Sequence, residues 1–400
     1  MRINTRGIRN FLSTHLLEHF PAVSSFLFKT LRNRVILKSY GISVKKRCQH
    51  SETLSKSDLA INEKSKILLI VPSKKLSASN WGFAQGVYLH EIWASGKEYL
   101  KVEIEIFSFD ETAYGKDEFD RLLMELVGGN YSHLLTSLES NPGSTFWDWD
   151  YFAARALDIW SGLVIGLSTD SIYRKHQIQF QRFVSIYGKT VIIGIDVVPD
   201  TKYLESKNYY GPTLLPISKA SIAQIDRYLP NASSRLQSRQ YDVVFVGEVY
   251  PYREAQLKRI LDMRVDLSIN PHRSPLDDTE GKGYVDYVAA ICSGFLTLNL
   301  SRANGVNHAQ LKSRVLEGPV FGAPVLSDEK NLSAIFFDPD KEFIYFDGSD
   351  ESLLRAIEQT KDKDMISNMS KSAKLKARGI AQSAFWNTVI VASKEFNQHG

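Results

Sequence analysis

The sequence predicts an α/β protein with two doubly wound parallel sheets, preceded by a basic helical arm. From Lys66 onward, apolar runs of strand length alternate with segments of helical periodicity, which is typical of parallel strands covered by helices. A polar segment with three prolines interrupts this alternation between residues 202 and 239. With 400 residues, 43% of them hydrophobic and 24% charged, the chain is long enough for two globular domains.

The first domain is predicted over residues 61–215. Helices are expected within Gly86–Trp93 and Glu118–Val127, and further helix-length segments separate the later strands. The strands are expected at five apolar runs: KILLIVP, VEIEIFSF, SHLLTSL, SGLVIGLS and TVIIGIDVV.

The second domain is predicted over residues 216–385, with helices at Arg253–Asp262, Tyr284–Ser293 and Glu351–Glu358. Its strands are expected at YDVVFVG, VDLSIN, FLTLNL and APVLS. A last helix that contains Phe385, Trp386 and Val389 is predicted to return to the first domain. The second domain is taken to end at residue 385, and residues 386–400 are assigned to this helix. Neither half contains GxGxxG or GxxxxGK[ST], the usual dinucleotide and P-loop patterns.

Residues 1–60 form the basic arm. They carry eleven Lys and Arg against three Asp and Glu, a net +8, which leaves −4 for the rest of a chain whose total is +4. Two short amphipathic helices are predicted, because apolar residues recur at helical spacing before and after Pro21. The arm either attaches through residues 1–50 to an anionic membrane surface, or packs on the protein's own body or stays partly disordered. An organellar transit peptide is a less favoured alternative, and a signal peptide is disfavoured because His15, Glu18 and His19 interrupt the apolar run.

Cysteine usage indicates a reducing compartment. Cys48 and Cys292 are far apart and belong to no CxxC or Cys/His spacing, which argues against a zinc site and a disulfide framework. The expected location is cytoplasmic, with a peripheral position at the inner face of a membrane if the arm binds lipid. No nucleic-acid partner is predicted.

The stretch LKSRVLEGPVFGAPVLSD, residues 311–328, is the strongest candidate for a site. A helix is predicted up to Glu317, ended by Gly318-Pro319, with one polar stripe containing Asn307, Gln310, Arg314 and Glu317. It follows a strand, so its amino end would face the crevice where α/β sheets bind ligands. Arg302 and Arg314 suit a diphosphate, and Glu317 can accept both hydroxyls of a ribose. A surface salt bridge between Arg314 and Glu317 is the alternative.

These residues resemble a known family. Glu317, Gly322, Pro324 and Val325 match the E-x-x-x-x-G-x-P-V pattern of the donor domain of group 1 glycosyltransferases with the GT-B fold. The stretch is still more similar to the spore-maturation-type subgroup, and the resemblance extends over residues 241–386. It implies two Rossmann-like domains facing a central cleft, the first for an acceptor and the second for a nucleotide sugar.

The resemblance also implies the function. It suggests metal-independent, hexosyltransferase-like transfer from a nucleotide-diphosphate sugar to a glycan, lipid or other hydroxyl acceptor, in cell-envelope or polysaccharide biosynthesis, without a cofactor. Glu317 would hold the ribose, and Arg253 and Arg314 the diphosphate. Two positions depart from the pattern: Ala309 replaces a glutamate that contacts the donor sugar, for which His308 or Gln310 could substitute, and Glu248 stands where a second basic residue is common.

Asp170 and His308 are the candidate catalytic residues. Asp170 is the predicted base, because it follows an apolar strand and should lie at the carboxyl edge of the first sheet. A helix N-cap is its alternative role. His90, His133 and the segment Trp147-Asp148-Trp149 are weaker candidates, and the tryptophans would either stack on an acceptor sugar or pack in the core. No metal is assigned, because the Asp-x-Asp triplets at residues 148–150, 338–340 and 362–364 are expected by chance.

Two other functions remain open at the level of sequence. A nucleotide-sugar epimerase would use the same donor site without an acceptor. A catalytically silent GT-B module would bind carbohydrate or a partner. Sugar inversion without transfer identifies the first, and absence of any donor turnover identifies the second.

Overall fold

The computed structural model describes residues 60–72, 85–110, 115–138, 149–169, 174–195, 208–229, 239–271, 284–302 and 309–399. The predicted arm helices therefore lie outside the described residues. The described chain forms two α/β domains, each built on a parallel sheet. None of the described helices has the length and apolarity needed to cross a membrane.

The first sheet has six strands in the order β2, β1, β3, β4, β5, β6, all paired in parallel. Its strands are β1 Lys66–Pro72, β2 Glu103–Phe109, β3 His133–Ser137, β4 Leu163–Ser168, β5 Thr190–Gly194 and β6 Tyr209–Tyr210. Its helices are α1 Gln85–Leu100, α2 Gly115–Gly128, α3 Trp149–Ile159 and α4 Arg174–Ile186.

Both faces of this sheet are covered. Leu68 and Ile70 of β1 pack into one core with α2, α3 and α4, whereas Ile67 and Leu69 pack into a second core on the opposite face. Because successive side chains of a strand point to opposite faces, a strand buried on both sides reads as a continuous apolar run. This explains why the pattern KILLIVP predicts its strand so clearly.

The second sheet has five parallel strands in the order β11, β10, β9, β7, β8. Its strands are β7 Tyr241–Gly247, β8 Leu267–Pro271, β9 Gly294–Asn299, β10 Val325–Ser327 and β11 Phe343–Tyr345. The helices after β6 are α5 Lys219–Tyr228, α6 Pro251–Asp262, α7 Tyr284–Ile291, α8 Arg314–Val320, α9 Asn331–Ala334, α10 Asp350–Glu358, α11 Lys363–Ile380 and α12 Ser383–His399. The two-domain α/β fold predicted from the sequence is confirmed.

The last helix, α12, packs on the first domain. Phe385, Trp386 and Val389 belong to the core on the β1 face that contains Ile67 and Leu69. The helix begins at Ser383, a few residues before the predicted boundary at 386. The chain thus crosses from the first domain to the second and back again.

Two predictions about the second half are wrong in detail. The helix expected over Asn307–Glu317 begins only at Arg314, because Ala309 forms an antiparallel bridge with Arg302, and the Gln310 N–H donates to the Ser301 carbonyl. Gly318-Pro319 does not end it either. Both residues lie inside α8, where the missing side chain of Gly318 lets the helix approach the Ala323 carbonyl; a Cβ there would lie 2.8 Å from that oxygen.

The segment between the sheets is more structured than expected. The sequence predicts residues 202–239 as a plain connection, but they contain β6, which extends the first sheet, and the helix α5. Ile225 of α5 packs in the core of the second domain. The elements β11 and α11 are likewise absent from the sequence-based prediction.

Candidate active site at the second sheet

The candidate site lies where the strand order of the second sheet reverses. β7 pairs with β8 on one side and with β9 on the other. The connection from β7 to β8 and the connection from β9 to β10 therefore leave the sheet in opposite directions. Open α/β sheets bind ligands in the crevice formed at such a point. The residues around the ends of β7 and β9 therefore define the candidate site.

Two buried arginines meet at this point. Arg253 lies in the first turn of α6 and Arg314 is the first residue of α8. Their guanidinium carbons lie 5.7 and 5.0 Å from the ring centroid of Phe245, so both groups share one aromatic neighbour. Arg253 donates to the carbonyls of Glu248 at 2.8 Å and Leu300 at 3.3 Å, and Arg314 to that of Leu298 at 3.4 Å.

Neither arginine of the pair forms a close ion pair with a residue that the structure describes. Arg253 is 5% exposed and Arg314 is 7% exposed. Neither Nε atom makes a hydrogen bond to a described residue. Burial, followed by the charge of Arg314, lowers the pKa of Arg253 to about 10, so this group remains charged at neutral pH. Buried charges are costly without a partner, so this arrangement favours an anionic ligand.

Gly247 makes room for Arg314 at the end of β7. Its φ of +145° is a conformation that favours glycine, and a Cβ there would lie 2.5 Å from Nη2 of Arg314. The strand-ending glycine of YDVVFVG therefore has a structural reason.

Glu317 lies three residues after Arg314 on α8 and is 8% exposed. The hydroxyl of Tyr287, on α7, donates to its Oε2 at 2.7 Å. Burial raises the pKa of Glu317, while hydrogen bonds from Tyr287 and Ser313 and the charge of Arg314 oppose the rise. The charge of Glu91, on α1 of the first domain, adds to the rise.

Gln310 connects the two domains. Its Nε2 donates to the carbonyl of Thr169, at the end of β4, with a distance of 3.3 Å, and its Oε1 accepts from Lys312. Thr169 is the last described residue before Asp170. Asp170 and His308, the predicted catalytic residues, lie outside the described residues, as does Asn307.

Arg302 differs from the buried pair in its exposure. Its side chain is exposed, and its guanidinium carbon lies 5.1 Å from the ring centroid of Tyr252. Tyr250 donates to its backbone carbonyl. The Tyr252 hydroxyl in turn donates to Asp328 at 3.1 Å, and burial, followed by the charge of Asp328, raises the pKa of Tyr252 to about 12.

The weaker candidates Trp149, His133 and His90 each contact other residues of the first domain. Trp149 is buried in an aromatic cluster, with its ring centroid 5.1 Å from that of Phe119, so it packs in the core. His133 is buried in β3, with Nδ1 2.8 Å from the Ser132 hydroxyl, and His90 Nδ1 lies 3.5 Å from a Glu91 oxygen.

The Asp-x-Asp triplets are likewise accounted for where they are described. Asp150 forms an ion pair with Arg182, Asp338 lies 3.4 Å from Lys376, and Asp362 caps α11. Among the described residues, no three His, Cys, Asp or Glu side chains cluster as metal ligands would.

Three residues around Glu317 were not predicted from the sequence: Tyr284, Tyr287 and Glu91. The rings of Tyr284 and Tyr287 stack at 6.0 Å, and Tyr287 reaches the site from the first turn of α7. An aromatic pair spaced by three residues at the start of a helix that follows a strand was the only available signal. Nothing in the local sequence indicates the approach of Glu91 from the other domain.

Comparison with known proteins agrees with this arrangement. Residues 234–383 match the family model described as glycosyl transferase-like. The search of curated proteins gives no match. Among solved structures, an α-glucosyltransferase in complex with UDP-glucose and DNA containing an abasic site aligns with a TM-score of 0.53 and 12% identity, over 82% of this chain and 99% of that one.

Two bacterial structures align less closely. HepE from Anabaena, solved with UDP and glucose, has a TM-score of 0.46 and 11% identity, over 80% of this chain and 95% of that chain. A glycosyltransferase from Rickettsia africae has a TM-score of 0.47 and 8% identity, over 85% and 100% of the two chains.

The architecture is that of GT-B proteins: two parallel-sheet, Rossmann-like domains. Residues 234–383, the segment that contains Arg253, Arg314 and Glu317, match the glycosyl transferase-like family model. The predicted GT-B fold and the glycosyltransferase resemblance of this segment are thereby confirmed. The spore-maturation-type subgroup stays a prediction.

Proposed function

We propose that the protein is a glycosyltransferase that moves a sugar from a nucleotide-diphosphate donor to a hydroxyl group of an acceptor. The observation that carries this proposal is the pair Arg253 and Arg314, two buried guanidinium groups without a carboxylate partner among the described residues. They lie at the topological switch point of the sheet, in the segment that matches the glycosyl transferase-like family. A diphosphate offers the negatively charged oxygens that two such guanidinium groups can bind.

The chemistry follows from the charge that develops on the donor. The bond between C1 of the sugar and the diphosphate oxygen breaks, and a bond from the acceptor oxygen to C1 forms. Fixed guanidinium groups stabilise the departing diphosphate, because they need no reorganisation as its charge grows. We propose that Arg253 and Arg314 do this without a metal ion, so activity should persist in EDTA.

The acceptor must lose a proton, and Asp170 is the proposed base. Its neighbour Thr169 accepts a hydrogen bond from Gln310 of the second domain, which supports a position beside the cleft. Gln310 or His308 would contact the donor sugar in place of the glutamate that Ala309 replaces, and Arg302 would add charge near the diphosphate. Asp170→Asn should reduce transfer while leaving nucleotide affinity unchanged.

We further propose a hexose as the transferred group, a glycan or lipid-linked acceptor, and a role in cell-envelope or polysaccharide synthesis. The resemblance to spore-maturation-type enzymes supports the hexose and the pathway, and the +8 arm supports a lipid-linked acceptor at a membrane. A cytoplasmic enzyme at the inner face of a membrane would meet both the donor and such an acceptor.

Nucleotide binding tests the site. UDP and GDP are titrated into wild type, Glu317→Ala and Arg253→Ala by calorimetry. Loss of either side chain should weaken binding by roughly 1.5–3 kcal/mol, the scale of a hydrogen bond to a charged group. Arg253→Ala should in addition reduce the salt dependence of the binding that remains.

Arg239→Ala is the matched control. Arg239 also donates to backbone carbonyls, those of Phe295 and Gly322, but lies at the amino end of β7. This variant should lose stability and keep its nucleotide affinity. If the site variants bind like wild type, the proposed site is wrong. Product analysis with bound donors then separates transfer or donor hydrolysis from sugar inversion, which would indicate an epimerase, and from no turnover, which would indicate a silent module.

A further inference from the structure

The carboxylate of Glu317 is held by a neighbouring helix. Tyr287, in the first turn of α7, donates its hydroxyl to Oε2 at 2.7 Å. The Ser313 side chain is a second neighbour, which favours the charged form of this carboxylate by hydrogen bonding and so lowers its pKa. A carboxylate offers about four acceptor positions. These hydroxyls occupy up to two of them, so at least two remain, the number that the two hydroxyls of a ribose require.

We propose that Tyr287 is a positioning residue of the nucleotide site, which fixes the orientation of the Glu317 carboxylate for ribose binding. This inference rests on the proposed function of Glu317. Tyr287 reaches the site from a different helix and acts through the carboxylate, not through the nucleotide.

The surroundings of Glu317 make this role necessary. Burial favours the neutral acid, and the charge of Glu91 on α1 acts in the same direction. The hydrogen bonds from Tyr287 and Ser313 and the charge of Arg314 favour the carboxylate. Tyr284 packs beside Tyr287 and is the remaining titratable neighbour. A neutral acid would turn one acceptor position into a donor, so protonation should oppose binding of the ribose hydroxyls.

Tyr287→Phe tests the inference, because it removes one oxygen and keeps the ring. Affinity for UDP or GDP, whichever the wild type binds, should fall roughly tenfold at pH 7. The pH at which binding is lost on acidification should also rise, since the hydrogen bond that lowers the pKa of Glu317 is gone. A residue that only filled space would not shift this midpoint.

Tyr284→Phe is the matched control. Its ring stacks on that of Tyr287 with an interplanar angle of 16°, but its hydroxyl hydrogen-bonds to no described residue. Affinity and midpoint should equal those of wild type. If Tyr287→Phe folds poorly, Ser313→Ala, at an exposed position, should shift the midpoint in the same direction.

Glu317→Ala separates the two ways of failing. If Glu317→Ala binds nucleotide like wild type, the proposed function of Glu317 is wrong. If it binds weakly while Tyr287→Phe and Ser313→Ala keep the wild-type midpoint, the positioning role is overturned and the function stands. A carboxyl ¹³C titration of Glu317 in the ligand-free protein reads the same shift without nucleotide: an elevated midpoint in Tyr287→Phe supports the role, and an unchanged one contradicts it.

Discussion

Oε2 of Glu91 accepts a hydrogen bond from the backbone N–H of Ser218 at 2.5 Å, and this contact joins the first domain to the start of α5. Oε1 of the same carboxylate accepts from the Ser221 hydroxyl. Glu98, about two turns further along α1, accepts from the N–H groups of Lys219 and Ala220. Two acidic side chains of one domain thus satisfy the free amide groups at the amino end of a helix that packs in the other.

Glu91→Ala should destabilise the protein by roughly 1.5–3 kcal/mol, because it leaves a buried N–H without an acceptor. Glu98→Ala should cost less, about 0.3–1 kcal/mol, since its hydrogen bonds to α5 are exposed to solvent. Urea unfolding of both variants measures the difference. Equal losses would show that burial of Glu91 does not determine the strength of this contact.

The close approach of α1 and α12 leads to a second prediction. A Cβ on Gly96 would lie 2.5 Å from Cδ1 of Ile104 and 2.6 Å from Cζ2 of Trp386, whose indole N–H donates to Ser95 at 2.9 Å. Gly96→Ala should therefore cost about 1–3 kcal/mol through overpacking, although alanine is the better helix former.

Gly379→Ala is the control for this prediction, because Gly379 is exposed near the end of α11 and a methyl group there would have no neighbour within 4 Å. This substitution should leave stability unchanged or raise it by up to about 1 kcal/mol. Opposite signs in thermal unfolding are expected. A neutral Gly96→Ala would mean that α12 can move away from α1 without loss of packing.

Gly247→Ala should damage the nucleotide site specifically. The new methyl group would lie 2.5 Å from Nη2 of Arg314 and force that guanidinium to move, in addition to straining a backbone with φ of +145°. Nucleotide affinity, measured by calorimetry, should fall roughly tenfold or more, the scale of losing one hydrogen bond to a charged group.

Gly348→Ala separates backbone strain from site damage. Gly348 also has a positive φ, +88°, but a Cβ there meets nothing within 4 Å. Its substitution should cost about 1–3 kcal/mol of stability and leave nucleotide affinity unchanged. Equal loss of affinity in both variants would trace the effect to general destabilisation.

Much of this fold was predictable from the sequence because its strands are buried on both faces. The run YDVVFVG predicted both the existence of β7 and its first and last residues. A short continuous apolar segment in an α/β chain is typical of a strand buried on both faces. The placement of Arg314 near a ligand crevice followed from the rule that the carboxyl ends of parallel strands meet at one edge, whereas the role of Arg253 was implied by the family resemblance.

The remaining features depend on contacts between distant segments. The helix expected from Asn307 is shortened by the bridge between Arg302 and Ala309, a pairing that helical periodicity does not report. Tyr287 reaches Glu317 from another helix, and Glu91 approaches from another domain. Local patterns describe faces of helices, and they do not tell which faces meet.

Glu317 should reduce stability at neutral pH while it supports binding. Burial raises its folded-state pKa above the ordinary 4.5, so the folded protein binds this proton more tightly than the unfolded chain does. Its contribution is therefore fully present below the unfolded pKa and is lost as pH rises through the folded pKa. Glu317→Gln, which has no such proton, should be more stable than wild type at pH 7, and the difference should shrink toward pH 4.

Urea unfolding at both pH values measures this effect, with Glu351→Gln as the control. Glu351 is an exposed carboxylate on α10, so its substitution should change stability by less than about 0.5 kcal/mol at either pH. A Glu317→Gln variant that is less stable than wild type at pH 7 would mean that contacts within the fold compensate the charge of Glu317. The folded protein would then lose no stability by keeping this carboxylate for ligand binding.

The basic arm leads to the last prediction. Residues 1–60 carry a net +8 beside a body of −4, and this separation of charge should orient the molecule with its arm toward an anionic surface. The full chain should sediment with vesicles that contain anionic lipid and be released as salt rises, because a Debye length of about 8 Å at physiological ionic strength screens such attraction. Removal of residues 1–50 should abolish sedimentation and leave thermal unfolding of the body unchanged.

Vesicles of neutral lipid are the control, since apolar burial alone would retain the protein on both kinds of vesicle. Sedimentation that survives the deletion would place the lipid contact on the body, and a deletion that lowers the unfolding temperature would indicate that the arm packs on the domains instead.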